Sequence, residues 1–185
     1  GWEFLFPTAD DTPEVIAAAA DELGWPPAQQ AGIRAIHTYD ARMPKECLSA
    51  MSFSFRSEEF VSRYRLPAYV EFLATCDMQP AYDMHLRVLQ LLQRRRAAER
   101  WVLKSPVHLQ AIPELVATYP DARFVATHRD PAKILGSVSS LVATLRRAFS
   151  DDVDPVEIGR YHLDLYARSL DALVDHVDGV LPTDR

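Results

Sequence analysis

Along most of this chain, apolar residues recur at the three- and four-residue spacing of helices with one buried face. Asp11-Thr12-Pro13-Glu14 places capping residues and a first-turn proline ahead of Val15-Ile16 and four alanines. This predicts a helix that ends near Gly24, before the break at Trp25-Pro26-Pro27. A second helix is predicted from Ala28 to Arg42, and a third from Pro44 after a turn at Met43. Ser57-Glu58-Glu59 caps another, with Phe60 and Tyr64 four apart on one face. Pro67 and Pro80 open two more, the first ending near Asp77. In the longer one, Tyr82, Leu86, Leu89 and Leu92 follow the amphipathic spacing into Arg94-Arg95-Arg96. Those three cations suit either the negative end of the helix dipole or an anion.

The period changes at Trp101. Trp101-Val102-Leu103-Lys104 reads as a buried strand, and Ser105-Pro106 begins a helix through Leu109, Ile112, Leu115 and Val116 to Tyr119. Arg123-Phe124-Val125-Ala126-Thr127-His128 is β-branched and aromatic, and reads as a second strand. Strand, helix and strand within 28 residues have the size of a parallel βαβ unit. Asp130-Pro131 then starts a helix to about Phe149. The helix after Asp154-Pro155 carries an apolar stripe of Ile158, Tyr161, Leu165 and Leu170, and residues 182–185 carry no element. The expected fold class is therefore α/β: a parallel-sheet core at 101–150, a helical region at 1–100 and a C-terminal helix at 151–185.

At 185 residues the chain is one domain or part of one. Its net charge of −6 excludes a surface-wide nucleic-acid footprint. Six widely spaced glycines allow neither a Gly-x-Gly-x-x-Gly nor a Walker-type loop, which argues against a kinase-like nucleotide enzyme. Cys47 and Cys76 form no metal-binding pattern, so no metal site is expected. No apolar run approaches the ~18 residues of a membrane span and no signal peptide is visible. The expected location is the cytoplasm.

Ligands bind open α/β sheets beyond the C-terminal strand ends, where the next helix offers N–H groups. Both predicted strand ends here are basic. The first is Lys104-Ser105 with His108 one turn on; the second is His128-Arg129-Asp130, followed by Ser137, Ser139 and Ser140. Arg129 beside a serine hydroxyl suits a phosphate. Each residue also has a plainer reading. Lys104 can reach solvent, His108 can be structural, Arg129 can pair with Asp121 or Asp130, and Ser137 can fill a helix position.

The stretch Trp101-Val102-Leu103-Lys104-Ser105-Pro106-Val107-His108-Leu109, then Tyr119-Pro120-Asp121-Ala122-Arg123-Phe124-Val125, then Thr127-His128-Arg129-Asp130-Pro131 and Ser137, closely resembles the bacterial sulfotransferases that use 3′-phosphoadenosine 5′-phosphosulfate (PAPS). Trp2-Glu3, Pro44-Lys45-Glu46-Cys47 and the helices from Pro67 to Gln93 extend the resemblance over most of the chain. It implies a P-loop-like sulfotransferase fold that moves a sulfuryl group from PAPS to an acceptor hydroxyl without a metal. It also implies that Arg129 and Ser137 hold the nucleotide 3′-phosphate, that Lys104 sits beside the transferring group, and that His108 accepts the acceptor's proton. The family's upstream Gly/Arg/Thr-rich loop around the 5′-phosphosulfate has no counterpart here, nor has its downstream Gly-containing segment. The chain therefore resembles an internal fragment, expected to be weakly active or inactive alone. The other expectation is a non-catalytic helical interaction module on the same scaffold. A small-molecule, sugar or lipid alcohol remains open as acceptor, with Tyr64, Tyr69, Phe72 and Tyr82 either lining its pocket or forming core. Oligomeric state is equally open.

Overall fold

The computed structural model describes residues 1–22, 32–35, 40–94 and 99–177, and they are predominantly helical. Helices α1 (Trp2–Leu5) and α2 (Pro13–Glu22) bury Trp2 and Ala19 against Ala41, and Trp2 N–H donates to the Ala41 carbonyl at 2.6 Å. Short α3 (Cys47–Met51) runs into a 3-10 turn at Ser52–Ser54 that ends on Phe55, a left-handed residue with φ 53°. Helix α4 (Glu58–Arg63) starts at Ser57, whose Oγ accepts from Glu59 N–H at 3.2 Å and donates to the Leu48 carbonyl at 2.7 Å. One small hydroxyl thus caps α4 and ties it to α3.

Helices α5 (Pro67–Thr75), α6 (Gln79–Gln93), α7 (Ile112–Thr118) and α8 (Pro131–Arg146) all carry proline in their first turn, where a missing N–H costs nothing. Helix α9 (Pro155–Val177) is the longest described element. Asp130 Oδ1 accepts from Ala132 N–H at 2.9 Å, and Asp154 Oδ1 from Val156 N–H at 2.8 Å, so aspartates cap α8 and α9. One apolar core joins Met51, Ala81, Tyr82, Val107, Ala111 and Leu115; another joins Val142 and Ala143 of α8 to Ile158 of α9. Arg146 is buried, and its Nε and Nη2 both donate to the Val61 carbonyl, at 3.2 and 2.9 Å. It pins α8 to α4, which a cation in the last turn of a helix does not announce in sequence.

Several expected elements differ. Among the described residues there is no strand: Trp101–Lys104 and Arg123–His128 carry no regular structure, so the expected parallel βαβ core is not formed here. A strand exists only with a hydrogen-bonded neighbour. These two segments do not ladder to each other, and Val102 and Val125 are 97% and 89% exposed, whereas strands of a covered parallel sheet bury such residues. The single helix expected from Ser105 to Tyr119 is split into a 3-10 helix, Pro106–Gln110, and α7, because Ala111 leaves helical conformation at φ −147°, ψ 53°. Helix α3 begins at Cys47 rather than Pro44. Helix α4 stops at Arg63, so Tyr64 turns to Phe149 while Phe60 packs on Phe55 and Tyr69. Of the helix expected at 28–42, residues 32–35 are helical, Asp40 has no regular structure and 41–42 form a turn; residues 28–31 and 36–39 lie outside the described residues, as do Arg95, Arg96 and the C-terminal tail.

Candidate functional site

A cavity of about 370 Å³ opens between α3, α4, the 3-10 helix Pro106–Gln110, α8 and α9. One turn-by-turn stripe of α8, Val138, Leu141, Val142 and Leu145, forms one wall, and Leu165 of α9 continues it. Lys104 and Glu46 line the same cavity and form an ion pair, their side chains 70% and 33% exposed. Neighbouring backbone holds the pair in place: the Cys47 N–H donates to the Lys104 carbonyl at 3.1 Å. The loop before α3 is thereby stitched to the chain before the 3-10 helix. Glu46, at the N-cap position of α3, stands in the Pro44-Lys45-Glu46-Cys47 motif, but the sequence assigns it no role because its partner lies 58 residues away, beyond any local pattern.

His108 sits one turn beyond Lys104 but faces the core, not the cavity. Its Nδ1 is 2.9 Å from the Tyr82 hydroxyl, with the two rings stacked at 5.8 Å. Beside it His85, 1% exposed, has its Nδ1 2.5 Å from the Tyr119 hydroxyl. Burial lowers the pKa of each histidine from 6.5 to about 4, with the neighbouring His108 adding to the effect at His85, so both are neutral at pH 7. Burial also pushes the Tyr82 phenol up and the Cys47 thiol to about 11. Two buried polar atoms just after Lys104 in the chain, Ser105 Oγ and His108 Nε2, have no hydrogen-bond partner among the described residues.

The Tyr82 hydroxyl has no other partner among the described residues, and donating to His108 Nδ1 is the one arrangement that satisfies its proton, which assigns the imidazole proton to Nε2. Long-range ¹H–¹⁵N spectra at pH 7 are therefore expected to give a protonated Nε2 and a bare Nδ1 for His108, with Tyr82→Phe releasing this preference. A proton on Nδ1 in the wild type would contradict the assignment.

Arg129 lies immediately before the Asp130 cap of α8, is exposed, and carries no ion pair among the described residues, so its pairing with Asp121 or Asp130 is not realised. Ser137 is exposed two turns into the same helix. Neither lines the cavity. Of the aromatic residues considered for the acceptor pocket, Tyr82 is core, Tyr69 donates to the Phe55 and Ser57 carbonyls, and Tyr64 and Phe72 lie elsewhere on the surface. Among the described residues no acidic, histidine or cysteine cluster could hold a metal, and no helix is long and apolar enough to cross a membrane.

Two solved structures are similar to this chain in overall fold. Sulfotransferase STF1 from Mycobacterium tuberculosis H37Rv is 28% identical at a TM-score of 0.77, over 96% of this chain and 50% of that one. Sulfotransferase STF9 from Mycobacterium avium is 25% identical at a TM-score of 0.79, over 97% of this chain and 48% of that one. The fold is that of a sulfotransferase, and the chain spans about half the length of these relatives. The model of the sulfotransferase family matches residues 5–185, and the chain belongs to that family. No curated protein matches it in sequence.

Proposed function

We propose that this chain carries the acceptor-side and 3′-phosphate half of an enzyme that moves a sulfuryl group from PAPS to an acceptor hydroxyl. The observation that carries the reading is the Lys104–Glu46 pair lining an otherwise largely apolar cavity, in a chain of the sulfotransferase family. The residues present fit the nucleotide. Arg129 is an exposed guanidinium without an ion-pair partner among the described residues, and Lys104 presents an exposed ammonium at the cavity. Arg129 and Ser137 would hold the 3′-phosphate, the guanidinium as a planar donor fork and the serine as a hydroxyl donor. Lys104 would place its ammonium beside the transferring group, where charge spread over equatorial oxygens asks the protein for cationic stabilisation. The nucleotide itself supplies the sulfuryl group, and no metal is required.

Two groups are available to take the proton from the acceptor. His108 holds that place by family resemblance. A specific observation favours Glu46: its carboxylate lines the cavity beside Lys104, whereas His108 has Nδ1 on Tyr82 and Nε2 buried. Geometry precedes pKa in choosing a base. In the full-length enzyme, Glu46→Gln is expected to lower turnover about 100-fold, within the usual range for losing a general base. His108→Ala is expected to cost less. The reverse order would return the role to His108, and unchanged turnover in both variants would remove acid–base chemistry from this site.

A further inference from the structure

From the lining of the cavity we infer that the acceptor is an apolar ring alcohol or phenol, about two fused rings in size, rather than a sugar; this inference rests on the sulfuryl-transfer reading. An apolar cavity of about 150 Å³ takes up benzene. One of about 370 Å³ therefore suits a bicyclic body, near the lower end of small-molecule pockets. Leu48, Val107, Val138, Leu141, Leu145 and Leu165 offer that body apolar contact from four elements.

A sugar needs a hydrogen-bonding partner for nearly every hydroxyl, since burying an unpaired hydroxyl is costly. The polar residues that reach the cavity from α4 are already engaged. Glu58 accepts from the Tyr161 hydroxyl at 2.9 and 3.0 Å, Glu59 pairs with Arg63 at 2.7 Å, and Ser62 Oγ donates to the Glu59 carbonyl at 2.8 Å. His162, on α9, has its Nδ1 2.8 Å from the Ile158 carbonyl. The Lys104–Glu46 pair is the more exposed of the two ion pairs lining the cavity, and there a single hydroxyl can meet both an ammonium and a carboxylate. Asp40, Lys45, Ser49, Gln110 and Tyr166 also line the cavity, but apolar side chains make most of its surface, which matches a hydrocarbon body with one hydroxyl better than a polyol.

The test is a calorimetric titration of the wild-type chain with 2-naphthol and, separately, with glucose. Saturable naphthol binding is expected, with no binding of glucose. Leu141→Trp and Leu165→Trp, each filling the cavity from a different helix, should weaken naphthol binding at least tenfold, while Val174→Trp on the exposed face of α9 should leave it unchanged. Should a filling variant fail to fold, shifts of the Leu141 and Leu165 methyl resonances on adding naphthol to the wild type give the same information. Glucose binding that the filling variants abolish would overturn the inference, as would the absence of naphthol binding to folded chain, or naphthol binding that neither filling variant affects. Adenosine 3′,5′-bisphosphate titrated into the same samples separates the two readings. Nucleotide binding without naphthol binding overturns the acceptor class alone, and naphthol binding without nucleotide binding upholds the ligand class while removing the transfer role.

Discussion

Acidification from pH 7 to pH 4.5 is expected to cost this fold several kcal/mol, a large share of the ~5–15 kcal/mol that stabilises a typical domain. His85 and His108 are the main cause, and burial shifts His162 in the same direction. In the unfolded chain each titrates near 6.5, whereas burial among Tyr82, Tyr119 and the apolar core lowers both to about 4. Between these values the unfolded state binds more protons, so stability is complete above about pH 6.5 and falls with pH down to about 4. Each unit of depression corresponds to roughly 1.4 kcal/mol. Because the two rings are 6.3 Å apart, charging one opposes charging the other and the losses do not simply add. The groups facing them moderate nothing in this range: burial keeps the Tyr82 and Tyr119 phenols and the Cys47 thiol protonated. Glu58 works in the opposite sense, since burial raises its carboxyl pKa and its protonation favours the folded state as pH falls. Two histidines outweigh one carboxyl in this window. Urea unfolding at pH 7.0 and 4.5 checks the expectation: the midpoint should fall markedly, and an unchanged midpoint would mean that the histidines are not buried neutral.

The second large effect concerns Lys104. In the full-length enzyme Lys104→Ala is expected to lower turnover about 1,000-fold, the upper range for losing one preorganised charge donor at a transition state. Affinity for adenosine 3′,5′-bisphosphate, which carries no sulfuryl group, should change little. The ion pair sharpens this expectation, because removing the ammonium takes away the partner of Glu46 at the proposed place of transfer. Turnover and product affinity measured together separate this role from a structural one. A variant that lost both equally would make Lys104 a general anchor for the nucleotide, and one that lost neither would place the chemistry elsewhere.

Local signals were legible in the sequence wherever the physics is local. Ser57, Asp130 and Asp154 cap helices through hydrogen bonds spanning two residues, and Pro67, Pro80 and Pro131 fix helix starts through a ring that any neighbour tolerates there. Strands were not legible in the same way. Val102 and Val125 have the right side chains, but a strand is a pairing, and no described segment pairs with theirs. The site divides along the same line. Lys104, His108, Arg129 and Ser137 stand out within short motifs, whereas the contacts that give the site its shape join Glu46 to Lys104, Tyr82 to His108 and Tyr119 to His85 across 58, 26 and 34 residues. His108 illustrates the consequence. Its motif suggests a base, while its position is set by a tyrosine on α6 that no spacing rule connects to it. Arg146 is similar, since only the approach of α4 to α8 turns a helix-end cation into a buried crosslink.

The 3′-phosphate site proposed at the start of α8 is open to calorimetric titration of the folded chain with adenosine 3′,5′-bisphosphate, alongside Arg129→Ala. Saturable binding by the wild type is predicted, weakening as salt rises because the contact is between charges, and lost in the variant. Binding that survives Arg129→Ala undiminished, or a folded wild-type chain that takes up no nucleotide, would contradict the account.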